Sequence, residues 1–319
     1  MSENELLHCN NDYTCISDND ADDIKQIGHY TNSAEVVKSI LQGNFWATDM
    51  SCFRHPNVDT KNKTDVNEGV LIFQNIREIL QDPNDKSVKC LPESFREKAL
   101  EKIKDQLCVD QFIGDHRTHV ISFCKNIYSS YMWEHYAKEG YELVFNKAAF
   151  VKEGSLSLVT PSGRRNEAKI FNHAPIVYDH EKQMAQIEQF IQKYGKNLDS
   201  DTEDDDYFVG LFLRHLMYVG NFYKTENDFH EEEEYRLLVN SISPDRYVGS
   251  VDHVPIEEKA DNGKDHIVIS YDPRSIDRIL CKDEICMKTL FNELRGNLPE
   301  DFPTIEIVDA NELLRDSRE

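Results

Sequence analysis

The sequence lacks both the long apolar run and the leader that membrane and secreted proteins carry. None of its apolar stretches approaches the roughly 18 residues that a membrane-spanning helix needs. Residues 1–23 are polar and acidic, without the basic start and apolar run of a signal peptide. We therefore expect a cytoplasmic protein without a membrane partner, in which residues 1–23 form a polar N-terminal leader.

The sequence also lacks the short motifs of several large enzyme classes. The eight cysteines are scattered and none forms a CxxC pair, so we expect reduced thiols rather than a disulfide scaffold. Without GxGxxG, a Walker lysine loop or GxSxG, a Rossmann dinucleotide fold and a P-loop enzyme are disfavoured. The HxxH spacing of His116 and His119 has no third ligand, and His230 lacks the second histidine of HExxH, so no metal site is predicted.

Basic residues are scarce relative to acidic ones. The chain has 36 Lys and Arg against 59 Asp and Glu, a formal charge of −23. This charge repels phosphates, so it disfavours sequence-independent binding to nucleic acid. Gly163-Arg164-Arg165 is predicted to be a solvated turn rather than a basic patch.

Aromatic residues, by contrast, are plentiful, and apolar patterning predicts a folded core. The 16 Phe and 14 Tyr supply bulky core material. Strands are predicted at residues 27–30, 45–48, 119–124, 141–145, 156–159, 174–178, 235–239, 266–270 and 304–308, and helices at 36–41, 70–80, 92–108, 129–138, 181–194, 208–223 and 285–294. Because they mix without strict βαβ alternation, we expect one α+β domain over residues 24–319, with mixed, mostly antiparallel sheets and surrounding helices.

Two carboxylates and an arginine near residue 235 form the first candidate site. Alternation along a strand points Tyr235 inward and puts Glu232, Glu234 and Arg236 on the opposite face. The arginine would hold one carboxylate by a forked hydrogen bond and leave the other free to react. The alternative is a solvated acidic strand end.

Two further groups are candidates. Trp133, His135 and Tyr136 lie on one predicted helix, either near a ligand or as core residues with His135 as a hydrogen-bonded spacer. His29 ends a predicted strand before a helix that Ser33 caps, where its ring could meet a ligand hydroxyl.

Several blocks of the sequence carry a resemblance to a known family. The blocks are Ile121-Ser122-Phe123, residues 132–137, residues 140–145 and residues 229–237. They resemble the signatures of the domain of unknown function 2971 family: a strand ending in Ser-Phe, a Met-Trp-x-His-Tyr helix, a glycine before a strand, and W-x-x-E-x-E-Y-R. Phe229 stands in place of the tryptophan, and only Asn67 and Glu68 remain of the family's Asn-Asp-Pro-x-Glu motif. The resemblance spans residues 29–309.

The opening resembles a second group, the ADP-ribosyltransferase-like domains. His29-x-Thr31, Ile40-Leu41-x-Gly43 and residues 46–48 follow the start of that fold. The resemblance implies a split sheet with NAD as substrate. His29, with Tyr30 and Thr31, would hold the ribose, and Trp46 would stack on nicotinamide. Glu234, or else Glu232, would be the catalytic carboxylate.

The resulting hypothesis is an NAD-consuming ADP-ribosyltransferase or NAD glycohydrolase, a toxin or bacterial defence effector with a macromolecular acceptor. Cleavage of the nicotinamide–ribose bond builds positive charge on the sugar, which a carboxylate stabilises. Arg236 would orient Glu232 or hold a phosphate. Ser122, Trp133, His135 and Tyr136 would support the pocket. The alternatives are a non-catalytic ligand-sensing or protein-interaction module and a magnesium-dependent nuclease.

Overall fold

A computed structural model describes most of the chain in separate ranges. They are residues 23–50, 68–104, 116–138, 140–160, 163–165, 171–196, 198, 206–225, 229–242, 259–261, 264–296 and 304–311. The predicted leader lies outside them, apart from Asp23. The chain divides into two compact units: a helical unit with Met50–Arg117 and Ile176–His230, and a sheet unit with Asp20–Asp49, Thr118–Pro175 and Glu231–Glu319. A single domain over residues 24–319 stays a prediction.

The described helices and strands follow the predicted order closely. The helices are α1 Ala34–Leu41, α2 Glu68–Gln81, α3 Glu93–Lys102, α4 Ser130–Met132, α5 Lys147–Phe150, α6 His180–Gly195, α7 Asp206–Gly220 and α8 Glu284–Leu294. The strands are β1 Gln26–Thr31, β2 Asn44–Asp49, β3 His116–Cys124, β4 Tyr141–Asn146, β5 Ser157–Thr160, β6 Gly163–Arg165, β7 Phe171–Pro175, β8 Glu234–Ile242, β9 Lys259–Asp261, β10 Lys264–Ser270, β11 Ile276–Cys281 and β12 Glu306–Asp309.

In the helical unit, α2, α3, α6 and α7 share one apolar core. Its fully buried side chains include Ile76, Phe95, Ile187 and Phe212. The packing requires glycine at Gly220, at the end of α7, because a Cβ there would lie 2.4 Å from Ile72 Cγ1. No helix among the described residues is long and apolar enough to cross a membrane.

The sheet unit is built on one mixed, mostly antiparallel sheet, which confirms the predicted α+β class. The strand order is β12-β11-β4-β1-β3-β2-β10-β5-β6, with β8 between β3 and β7 and with β9 on β10. β11 and β12 run parallel. The neighbouring pairs β1–β4, β2–β10 and β7–β8 are antiparallel.

The sheet folds over onto itself. Phe45 on β2 and Phe145 on β4 have ring centroids 5.7 Å apart, although β1 and β3 separate their strands in the sheet order. In a flat sheet, three strand spacings would put these strands about 14 Å apart. The β1–β4 half therefore faces the β2–β10 half across one core. A split sheet like that of ADP-ribosyltransferases stays a prediction.

The core between the halves defines two faces of every strand. We name the face that points into this core the inner face; it carries Phe45, Ile121, Phe123, Phe145 and Ile267, all buried. The opposite face is the outer face. Because side chains alternate along a strand, neighbouring residues lie on different faces.

Three sequence predictions need correction here. The residues Gly163–Arg165 form strand β6 against β5 and are not a turn. The strand predicted at residues 174–178 lies earlier, at Phe171–Pro175. The strand Ile276–Cys281 was not predicted, because Asp277 and Arg278 interrupt its apolar pattern.

Candidate functional site

The outer face of β8 carries the predicted carboxylate and arginine. Tyr235 points into the inner core, and Glu234 and Arg236 point the other way, as the alternation predicted. Arg236 Nε lies 2.7 Å from Glu234 Oε1 and its Nη2 lies 3.1 Å from Oε2, which makes a forked pair. Both residues are only 4% exposed. Two residues apart on a strand, they share a face and satisfy each other's charge.

Ser122 joins this pair from the neighbouring strand β3. Its hydroxyl donates a hydrogen bond to Glu234 Oε1 over 2.6 Å. Ser122 itself is exposed, so an exposed hydroxyl touches a buried carboxylate. A hydrogen bond to a charged acceptor is stronger than one between neutral groups. The Ser-Phe signature on β3 thus contacts the E-x-E-Y-R signature on β8.

Glu232 lies beside the strand rather than on it, which corrects the prediction that it shares the face of Glu234. It ends the 3-10 turn His230–Glu232, and Glu233, with a φ of +42°, turns the chain into β8. The Tyr136 hydroxyl donates a hydrogen bond to Glu232 Oε1. Glu232 is 4% exposed and Tyr136 is 44% exposed. A second buried glutamate is thus reached by a hydroxyl at the surface.

The helix that carries Tyr136 is irregular. The Ser129 hydroxyl accepts a hydrogen bond from the Met132 amide and starts α4. The chain then continues as a π-helix over Trp133–Ala137, a rare form that is frequently found at functional sites. We name residues 130–137 the signature helix. It ends at Lys138, with a φ of +53°.

A third buried glutamate, Glu142 on β4, was not predicted as a site residue. It is fully buried, and the Tyr128 amide donates to both of its carboxylate oxygens over 3.3 Å. A Cβ at Gly28 would lie 2.5 Å from Glu142 Oε1, so glycine makes room for the carboxylate. Burial raises the pKa of Glu142 to about 7, against hydrogen bonds from Tyr30 and Tyr128. A glutamate within the apolar run of residues 141–145 was the available signal.

Strained backbone surrounds these residues. Within the described ranges, the non-glycine residues with positive φ are Tyr128, Lys138 and Glu233. Two flank the signature helix and the third separates Glu232 from Glu234. Such conformations cost about 1–3 kcal/mol each and concentrate at functional sites. The strain supports a functional assignment for this part of the outer face.

These contacts form three sets, which the signature helix and residues 232–236 connect along the chain, and which we together name the outer-face cluster. Its members are Tyr30, Ser122, Trp133, Tyr136, Glu142, Glu232, Glu234 and Arg236. Tyr30 and Trp133 connect Glu142 to the signature helix, with their rings edge to face at 5.8 Å. Of the predicted site residues, the structure therefore brings Tyr30 and Arg236, both glutamates, and three of the four supporting residues together.

His29 does not join the cluster, which corrects the predicted meeting of His29 with a catalytic glutamate. Its ring lies on the inner face, 4.9 Å from the ring of Phe45 and 5.8 Å from that of Phe123. Its Nδ1 donates to the Ser122 carbonyl over 3.0 Å. Burial lowers the pKa of His29 to about 4. Tyr30, one residue further, points outward, so His29 and Glu234 lie on opposite faces.

Three other predicted residues also lie elsewhere. Thr31 hydrogen-bonds the Ser33 amide over 3.3 Å at the start of α1. Trp46 projects from the outer face of the β2–β10 half, 49% exposed, and stacks on His266 at 4.5 Å. His135 is exposed and stacks on Tyr131 at 4.2 Å. Asn67 lies outside the described residues.

Within the described part of the chain, no three His, Cys, Asp or Glu side chains are grouped to hold a metal ion.

The fold and the cluster define a class: an α+β protein with buried, hydrogen-bonded glutamates on the outer face of a folded-over sheet. The family model of the domain of unknown function 2971, described as a protein of unknown function, matches residues 132–237. The match confirms the predicted resemblance over the stretch that holds both the signature helix and the E-x-E-Y-R strand. No curated protein matches the chain. No solved structure matches it either.

Proposed function

We propose that the outer-face cluster cleaves the nicotinamide–ribose bond of NAD or a similar nucleotide, as an NAD glycohydrolase or an ADP-ribosyltransferase. One observation carries the proposal: the buried carboxylate of Glu232 accepts a hydrogen bond from Tyr136, a residue that is 44% exposed. The carboxylate is thus buried, yet it hydrogen-bonds directly to a residue at the surface.

The chemistry needs such an anion. As the bond to nicotinamide breaks, its electron pair leaves with nicotinamide and positive charge builds on the ribose. A carboxylate in surroundings of low dielectric stabilises that charge more strongly than one in water. Glu232, 4% exposed, meets this condition. The oxygen of a water or acceptor hydroxyl then bonds to the ribose carbon that nicotinamide has left, and the proton that this oxygen loses passes to Glu232.

Glu234 has a different role in this proposal from the one the sequence suggested. Arg236 engages both of its oxygens and Ser122 adds a third hydrogen bond. A carboxylate held this firmly orients its neighbours rather than reacting. The catalytic role passes to Glu232, and Arg236 orients Glu234 instead of binding a phosphate. His29 and Trp46 no longer contact the substrate in this proposal. The exposed hydroxyls of Ser122 and Tyr136 and the ring of Tyr136 contact the ribose and nicotinamide instead.

Nicotinamide release from NAD tests the proposal. We expect release by the parent protein and a loss of about 100-fold or more in Glu232→Gln and Tyr136→Phe, because the first removes the proton acceptor and the second removes the hydroxyl that positions it. Trp46→Phe is the matched control, since Trp46 is exposed on the other half of the sheet. Loss of release in Trp46→Phe with retention in Glu232→Gln would reverse the assignment. No release, and no thermal shift with NAD, would end it.

A second function has one observation in its favour. The mutual, buried pairing of Glu234 and Arg236 is the feature expected of a non-catalytic ligand-sensing or protein-interaction module. A module of this kind would show a thermal shift with its ligand and no nicotinamide release.

An active enzyme of the proposed kind would suit a toxin or defence effector, because NAD loss harms a cell.

A further inference from the structure

Glu142 is a buried carboxyl that the proposed reaction does not use. It lies on the outer face of β4, opposite Tyr30 in the β1–β4 register. Gly28 leaves the space that its Oε1 occupies. Burying a carboxyl costs free energy unless hydrogen bonds to it compensate for the loss of water. Its partners indicate what the role of Glu142 is.

The partners of Glu142 lead to the start of the signature helix. The Tyr128 amide donates to both carboxylate oxygens over 3.3 Å. The Tyr30 hydroxyl interacts with the same carboxylate, lies 3.4 Å from the Asn126 carbonyl and accepts from the Ser129 amide over 3.0 Å. Ser129 is the N-cap of α4. Glu142 therefore ties residues 128 and 129, the two residues before the helix, to the sheet.

The groups that face Glu142 come from each neighbouring element. Tyr30 lies on β1, Cys124 on β3, Tyr128 in the loop before α4, and Arg278 on β11. Arg278 favours the charged carboxylate, but burial outweighs it and raises the pKa of Glu142 to about 7. Glu142 thus gains or loses its proton near neutral pH.

We propose that Glu142 is a positioning residue that ties the signature helix, and with it Tyr136, to the sheet, and that this tie loosens when the carboxyl is protonated. A carboxylate accepts hydrogen bonds at both oxygens, whereas a protonated carboxyl gives up part of that capacity. The Tyr128 amide and the Tyr30 hydroxyl then compete for fewer acceptor sites. The strained backbone at Tyr128, with a φ of +71°, relaxes once its amide is released.

Trp133 is a built-in probe of this tie. The chain has 2 tryptophans, so Trp46→Phe leaves Trp133, which contacts Tyr30 and Glu142, as the only source of tryptophan fluorescence. In Trp46→Phe we expect the fluorescence to change in one transition with a midpoint near pH 7. Adding Glu142→Gln should abolish that transition, because the amide does not titrate.

His135 supplies the necessary control. It is exposed and only two residues from Trp133, so a variant without its imidazole separates its effect on Trp133 from that of Glu142. The transition should survive His135→Gln. A transition that persists in Glu142→Gln and vanishes in His135→Gln would overturn the proposal.

Tyr30→Phe keeps the test decisive if Glu142→Gln does not fold. It removes a hydrogen bond that favours the charged carboxylate, so the midpoint should move to higher pH. An unchanged midpoint would contradict the tie.

The link between Glu142 and Tyr136 rests on the proposed function. Failure of the tie can be distinguished from failure of NAD cleavage. If the enzyme is active, Glu142→Gln should lower nicotinamide release about 10- to 100-fold through misplaced Tyr136 and remove a pH step near 7. Without NAD cleavage, the Trp133 transition remains. If instead release shows no such pH step and Trp133 no transition, only the tie fails.

Discussion

The two faces of the sheet in the sheet unit share the same strands but hold different chemistry. On the inner face, the rings of Phe45, Phe123 and Phe145 meet at 5.6–5.7 Å in several orientations. On the outer face, Glu234 and Arg236 meet in one forked geometry. Apolar packing depends on area and tolerates varied contacts, whereas a buried charge needs a particular partner. The outer face is therefore the less tolerant of change.

Among the tests of this comparison, Arg236→Ala should have the largest effect on stability. It leaves Glu234 buried without its cation, so we expect the free energy of unfolding to fall by about 3–5 kcal/mol, measured by chemical denaturation. Asp272 and Arg274 offer a matched control, an ion pair of the same two-residue spacing with side chains 42% and 77% exposed. Arg274→Ala should change stability little, because water screens the pair. Equal losses at both sites would remove the contrast between buried and exposed pairs.

A smaller effect is expected from pH at Glu142. Its pKa in the folded protein, about 7, exceeds its ordinary value of 4.5, so the folded state holds an extra proton between these values. The resulting stability is present below about pH 4.5 and disappears as the pH rises through about 7. The change is on the order of 3 kcal/mol.

Unfolding of the parent and of Glu142→Gln across this pH range isolates the contribution. We expect the difference in stability between the two proteins to shift in favour of the variant as the pH rises. A difference that does not depend on pH would mean that Glu142 carries the same charge in the folded and unfolded chains.

The smallest effect has the opposite sign. Lys138 has a φ of +53° and is exposed, a conformation that glycine adopts without strain. Lys138→Gly should raise the unfolding free energy by about 1 kcal/mol. In the regular helix α8, the same change at exposed Lys288 should lower it by about 1 kcal/mol. A loss at Lys138 would show that its side chain contributes more than its backbone costs.

Alternation predicted part of the site well and part of it badly. For β8 it correctly separated Tyr235 from Glu234 and Arg236, because one face is uniformly apolar. For β1 it could not decide, because Ile27, Gly28 and Tyr30 are all buried and both faces are covered. An error of one residue then moves His29 to the other face.

The signature helix and Glu142 show a different limit. Side-chain spacing predicted a helix at residues 129–138 but not the wider π-helical turn of Trp133–Ala137, which the hydrogen-bonding pattern of the backbone determines. Glu142 looked like one polar residue in an apolar strand. Its importance depends on Gly28, Tyr30 and Tyr128, which lie up to 114 positions away in sequence yet surround it.

By itself the sequence determined the α+β class, most helices and strands, and the E-x-E-Y-R and Met-Trp-x-His-Tyr signatures, since apolar period and local motifs act over a few residues. Only the tertiary structure decided that Tyr136 hydrogen-bonds Glu232 and that Arg236 forms an ion pair with Glu234. It also decided that His29 lies on the opposite face of the sheet from Glu234. Those outcomes depend on strand pairing and on the folding-over of the sheet, which bring distant residues together and assign each strand face to core or cluster.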